Sequence, residues 1–220
     1  MPDYLVEYME NDYNNLLSRF ICSGDQTLDK VLMFTAEIDK MTSVLRRTIL
    51  IDKSRRENDA EHSWHIAVMA LIFQDYAVEK PNVLHSVEMM LVHDLVEIYA
   101  GDTFAYDVAG NVSKAERERA AAEKLYALLP QEQSIHLRAL WEEFDASETT
   151  DSKYANCLDR LQPFLHNVFT QGYTWSNYGF RTKRAQVEAR MDILREFMPQ
   201  VHQWVVKCMD TAVQKGWLDS

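Results

Sequence analysis

Helix breakers are scarce in this chain. Gly 6 and Pro 5 are spread through 220 residues, with no Gly/Ser linker, low-complexity tract or internal repeat, which argues against a fold of short strands and tight turns. Cysteine is equally sparse. Cys22, Cys157 and Cys208 are far apart and odd in number, which argues against both a disulfide framework and a thiolate zinc site. Positive charge is also short, with Lys+Arg 23 against Asp+Glu 34 and a formal net charge of −11. Phosphate backbones and anionic membranes need a basic surface, so neither nucleic acid nor membrane is expected as a partner, although a local basic pocket remains compatible with that balance. No apolar run approaches the roughly 20 residues of a membrane-spanning helix. The start, Met1-Pro2-Asp3-Tyr4, lacks the basic and apolar regions of a signal peptide, and a cytoplasmic protein is expected.

What the chain does have is 47% hydrophobic and 11% aromatic content, enough to bury a core as a single domain over 1–220. Long periodic segments predict an all-α fold. Leu28, Val31, Leu32, Thr35, Ile38, Met41 and Leu45 recur at helical spacing, predicting one amphipathic helix that ends in Arg46-Arg47, with a loop from Thr48 to Arg56. Asn58 and Glu61 form a capping-box pattern that opens a helix through about Tyr76. Pro81-Asn82 opens the next, ending near Gly101. Ser113 and Glu116 predict a second capping box for a helix to about Leu128. Pro130 resets the chain for Gln131 to Phe144, and the stripe Tyr154, Cys157, Leu158, Leu161, Leu165 and Val168 predicts a helix over about 152–169. An aromatic-rich loop over 172–179 precedes helices around 182–197 and 199–215.

Within the run Val87 to Ile98, His93 and Asp94 sit side by side in an otherwise apolar helix. Burying an unpartnered polar group costs roughly 2–7 kcal/mol, and a bound divalent cation removes that cost, because neutral imidazole and ionised carboxylate are both ligands. His62 and Asp159 complete a constellation of four. Taken singly, each has a plain reading: His62 as a residue at a helix start, and Asp159 with Arg160 as a surface pair.

In combination these residues resemble the HD-domain metal-dependent phosphohydrolases, and more closely their 5′-deoxynucleotidase-like branch of bacterial hydrolases. The matching segments are Arg47, Arg56-Glu57-Asn58-x-x-Glu61-His62-Ser63, His93-Asp94-x-x-Glu97-x-x-x-Gly101-Asp102 and Leu158-Asp159-Arg160-Leu161. The resemblance implies an HD-domain helical bundle, with a metal-binding core over about 30–170 and C-terminal helices over 180–216. It implies one divalent metal ion (Mn, Co, Fe, Mg, Ni or Zn) held by His62, His93, Asp94 and Asp159. Glu97 would move a proton, Arg47 would bind the phosphate, and Asp102 would take the sugar 3′-hydroxyl. The substrate implied is a nucleoside 5′-monophosphate and the assembly a homodimer. Thr48 follows Arg47 where the characterised deoxynucleotidase has a sugar-sensing tryptophan, so discrimination between ribose and deoxyribose should be weak. The local explanations stay open beside these roles: an arginine near a helix C-terminus for Arg46 and Arg47, a solvent-facing glutamate for Glu97, and Gly101 as a helix C-cap. His65, one turn beyond His62, is read as a packing residue or one that supports a ligand. Competing functional readings are hydrolysis of another small phosphorylated metabolite, such as a pyrophosphate or cyclic nucleotide, and a non-catalytic nucleotide or metal sensor.

Overall fold

Side-chain caps set where the helices begin. In the computed structural model, which describes residues 17, 19–177, 179 and 181–220, Asp25 accepts from the amides of Thr27 and Leu28 to start α1, Gln26–Ile38. Asn58 accepts from the Glu61 amide, and the Glu61 carboxylate accepts from the Asn58 amide, closing the expected capping box of α2, Asp59–Phe73. Asn82 caps α3, Val83–Val92. The helices that follow are α4 (Glu97–Ala100), α5 (Val108–Asn111), α6 (Lys114–Tyr126), α7 (Gln131–Ala146), α8 (Thr150–Phe169), α9 (Tyr173–Ser176), α10 (Arg184–Phe197) and α11 (Pro199–Gln214). The all-α class expected from the sequence holds, with one small hairpin beside the helices.

That hairpin corrects the first helix boundary. α1 stops at Ile38, a 3₁₀ turn covers Asp39–Ser43, and Leu45–Ile49 is strand β1, antiparallel to β2, Arg56–Asn58. The apolar spacing carries past the end of α1 because Met41 packs from the 3₁₀ turn into the same core as Phe34. The stretch over 48–56 therefore holds the end of β1, the start of β2 and, between them, a turn in which Lys53 has positive φ, at 61°. Arg56 donates through Nε to the Arg46 carbonyl and through Nη2 to the Leu45 carbonyl, tying the two strands together.

Three smaller differences follow. The His93-Asp94 pair lies just past the end of α3 rather than within a helix, in a run of i→i+3 turns linking α3 to α4. Gly101 ends α4 with φ +74°, a conformation that glycine adopts without strain. Ser113 precedes α6 but makes no side-chain cap; its hydroxyl accepts from Arg117 instead. The aromatic segment over 172–179 contains α9, with Tyr178 outside the described residues.

Two apolar clusters form the interior. One gathers Ile66, Met90, Leu158, Trp175, Met191 and Val205 from α2, α3 and α8–α11. The other gathers Phe34, Met89, Leu125 and Trp141 from α1, α3, α6 and α7. Adjacent Met89 and Met90 face different clusters, so α3 runs along the seam between them, and the His93-Asp94 turn emerges where the clusters meet. No helix among the described residues is long and apolar enough to cross a membrane.

Candidate metal centre and substrate cleft

Three local structures aim polar groups at one point. The capping box fixes the first turn of α2, placing Asp59 and His62 on one inward face. The turn after α3 presents His93 and Asp94. The inward face of α8 carries Asp159, Gln162 and His166, each one turn from the next. Pro163 has no N–H for the Asp159 carbonyl, so α8 continues past the site without that rung.

His62, His93, Asp94 and Asp159, all named from the sequence, are brought together. His62 Nε2 lies 3.1 Å from Asp159 Oδ1 and 3.9 Å from Asp94 Oδ2. His93 Nε2 lies 3.1 Å from Asp94 Oδ2 and 3.8 Å from Asp159 Oδ1. The outer nitrogens are engaged elsewhere: His62 Nδ1 is 3.0 Å from Gln162 Oε1, and His93 Nδ1 is 2.8 Å from the Met90 carbonyl. With protons on both Nδ1 atoms, both Nε2 lone pairs face the carboxylates. His93 Nε2 is buried with no hydrogen-bond partner. Lone pairs and anionic oxygens converging in a buried space are the donor set of a divalent cation, and these four residues fit one.

Electrostatics separate the site into two halves. Burial, with Arg46 nearby, lowers His62 to about 4, keeping it neutral. Burial would lower His93 too, but Asp94 and Asp159 outweigh it and raise it. Burial opposes the ionisation of Asp94 and Asp159, yet His93 and Arg46 hold Asp94 well below the usual carboxylate range, and His62 and Arg190 do the same for Asp159. The other half holds protons. Burial first, then Asp94, Asp59 and Asp102, push Glu97 well above its ordinary value. Asp59 is raised to about 7 by burial and by Asp94.

Arg46 does not lie at the helix C-terminus that the apolar spacing predicts; β1 turns it inward, where Nη1 donates to Asp94 (2.7 Å) and lies 3.3 Å from Asp59. One guanidinium thus answers the carboxylates of Asp59, Asp94 and Glu97, whose oxygens lie within 4.8 Å of one another. Glu57, raised to about 7 by burial, stands 3.6 Å from Arg46 Nε. The signal that could have found Arg46 is the doubled Arg46-Arg47 itself, since in a strand only one of two neighbours can face in.

Beyond the four residues opens a cleft with about 160 Å³ of water-accessible space. Glu97, Arg47, Thr48 and Asp102 all line it. Arg47 lies over the Phe104 ring, 4.9 Å from its centroid. Burial and Asp94 raise Asp102 against the opposing charge of Arg46. Arg160, together with Lys114 and Arg190, which were not singled out in the sequence, adds positive charge to the walls, and Arg190 approaches Asp159 Oδ2 at 3.6 Å. Trp175 also lines the cleft and is buried against Phe164. His65 Nδ1 approaches Gln162 Nε2 at 3.2 Å, and so reaches His62 only through that side chain.

A helical fold with two imidazoles and two carboxylates at its centre defines a class of metal-site proteins, and comparison with known proteins places the chain within it. Residues 38–202 match the family described as HD domain. The chain belongs to the HD-domain family. The 5′-deoxynucleotidase HDDC2 of Bos taurus is 32% identical over 109 residues, 50% of this chain and 52% of that protein. The Homo sapiens HDDC2 is 31% identical over 111 residues, 50% of this chain and 53% of that protein. The chain thus spans about half the length of these curated relatives. A crystal structure described as a predicted metal-dependent phosphohydrolase from Magnetospirillum magnetotacticum MS-1 is 44% identical, with TM-score 0.82, covering 89% of this chain and 100% of that one.

Proposed function

We propose that this protein is a metal-dependent phosphohydrolase that removes phosphate from nucleoside 5′-monophosphates. The observation that carries the reading is the convergence of His62, His93, Asp94 and Asp159 beside a proton-holding Glu97, at the base of a cleft walled by arginine and lysine. The names of the HDDC2 relatives and of the Magnetospirillum structure support it. One divalent ion held by the four residues would polarise a phosphate oxygen and make water nucleophilic near neutral pH.

The chain's own groups supply the rest. Arg47 meets the phosphate at the cleft wall, where a guanidinium offers a planar pair of donors. Glu97, protonated by its surroundings, gives its proton to the departing 5′-oxygen. Asp102 accepts from the sugar 3′-hydroxyl. Thr48, small and buried next to Arg47, leaves the 2′ position unread. The proposal includes a cytoplasmic setting, no nucleic-acid or membrane partner, and a homodimer. Support for the dimer comes from the outward face of α2, where Trp64, Leu71 and Ile72 are exposed.

Phosphate release from matched 5′-ribo-, 5′-deoxyribo- and 3′-monophosphates, after chelation and with each divalent ion restored separately, tests the proposal. Cleavage of 5′-monophosphates alone is expected, because a 3′-phosphate removes the hydroxyl and sets charge against Asp102. Losing a hydrogen bond to a charged group costs roughly 1.5–3 kcal/mol, more than tenfold in rate. Equal use of 3′- and 5′-phosphates would sink the pose. A strong deoxyribose preference would show that a residue other than Thr48 reads the sugar.

A further inference from the structure

Behind His62 lies a second cluster with the outline of a cation site. Glu57, His65 and His166 bring ligand-type atoms within 4.8 Å of one another. The space among them is filled by a side-chain amide. Gln162 Nε2 lies 2.5 Å from Glu57 Oε1, 3.2 Å from His65 Nδ1 and 3.1 Å from His166 Nε2. Its other end, Oε1, is 3.0 Å from His62 Nδ1. Gln162 is fully buried.

The two ends of an amide are distinguished by their hydrogen bonds, and here the surroundings dictate which is which. His166 Nδ1 lies 3.0 Å from the Ile49 carbonyl, which can only accept, so the proton of a neutral His166 is on Nδ1. Its Nε2 then requires a donor, and the Glu57 carboxylate requires one too. Both are met by the amide nitrogen and by nothing else at that position. The amide oxygen must therefore point at His62, where it can only accept. That places the His62 proton on Nδ1 and leaves the Nε2 lone pair facing Asp94 and Asp159.

We propose that Gln162 is a positioning residue that sets the ligating tautomer of His62, its own amide orientation being fixed by Glu57 and by a His166 locked on the Ile49 carbonyl. The chain of donors runs from β1 through α8 to the first turn of α2. A flipped amide would give His62 a proton on Nε2 and remove it as a ligand. His93 needs no such relay, since a carbonyl in the last turn of the preceding helix, that of Met90, fixes the proton on its Nδ1. The inference rests on His62 being a metal ligand.

Long-range ¹⁵N imidazole NMR of the metal-free wild-type protein reads the tautomers directly. His62 and His93 are both expected to carry a proton on Nδ1, and a His62 without one overturns the proposal with no variant needed. Gln162→Met keeps the size and removes both hydrogen-bonding ends. In it, His62 is expected to lose its Nδ1 proton in favour of Nε2 while His93 keeps its own on Nδ1. Affinity for Mn²⁺, measured by chelator competition, is expected to fall about 10–100-fold, the usual effect of losing a group that orients a ligand. Unchanged tautomer and affinity in Gln162→Met overturns the relay. His62→Ala, measured in parallel, separates the two ideas: undiminished Mn²⁺ affinity there overturns the ligand assignment itself. Weak binding in His62→Ala beside normal binding in Gln162→Met overturns the relay alone.

Discussion

Glu97 Oε2 is buried without a hydrogen-bond partner, three residues beyond Asp94 and outside the four ligand atoms. Glu97→Gln should therefore keep the metal content of the wild type. A positioned proton donor contributes about 10²–10⁴ in rate, so kcat should fall by that factor, read by single-turnover phosphate release beside elemental analysis. Near-native turnover would remove Glu97 from the chemistry. Glu57 gives a pH prediction whose sign is fixed by its shift. Its folded value is raised from 4.5 to about 7 by burial, so the native state holds a proton that the unfolded chain has released between those values. Stability from this group is complete below about 4.5 and is lost as pH rises to about 7, on the order of 3 kcal/mol. Glu57→Gln has nothing to ionise, so metal-free variant and wild type, compared by urea unfolding, should diverge in the variant's favour from pH 5 to pH 8. A constant difference across that range would show that Glu57 does not titrate there.

Strand β1 divides neighbouring arginines between two tasks, and the variants should separate accordingly. Arg46 is buried against Asp59 and Asp94, and removing one partner of a buried charge network typically costs 3–5 kcal/mol. Arg46→Ala should lower the unfolding free energy by about that much. Arg47→Ala, at the cleft wall, should stay within about 0.5 kcal/mol of wild type while kcat/KM falls roughly ten- to hundredfold from the lost phosphate contact. The reverse pattern would assign the phosphate to Arg46. The same strand shows what the sequence could and could not tell. Helix starts at Asn58, Asn82 and Pro130 were legible because their signals are local, within three or four residues. His93 and Asp94 were legible as polar groups in an apolar run, whereas His62 and Asp159, each with a plain reading of its own, were joined to them by the resemblance to the HD-domain family. β1 was not, because its partner β2 lies across a turn and the apolar spacing of α1 ran on through Met41. Gln162 and Glu57 meet across 105 positions of sequence. Nothing within either neighbourhood shows that they touch, and Lys114 and Arg190 reach the cleft by the same long-range folding.

At the scale of the molecule, the site sits on the seam between the two apolar clusters, joining α2, the turn after α3, and α8. Buried carboxylates and imidazole lone pairs in that seam repel one another, so an ion held there would act as a further crosspiece between the two cores. An ion that binds the folded chain and not the unfolded one stabilises it by about 2.7 kcal/mol at a hundred times its Kd. For a chain of this size each kcal/mol moves Tm by about 2–4 °C. Removing the ion with a chelator should therefore lower Tm by roughly 5–11 °C in scanning calorimetry, and restoring Mn²⁺ should return it. Asp94→Ala should abolish that response to Mn²⁺, because the carboxylate nearest His93 is gone. The acidic surface offers many carboxylates for weak cation binding, so the variant distinguishes the seam from the surface. A shift that persists in Asp94→Ala would move the stabilising ion elsewhere, and no shift in the wild type would mean that the two clusters hold together without it.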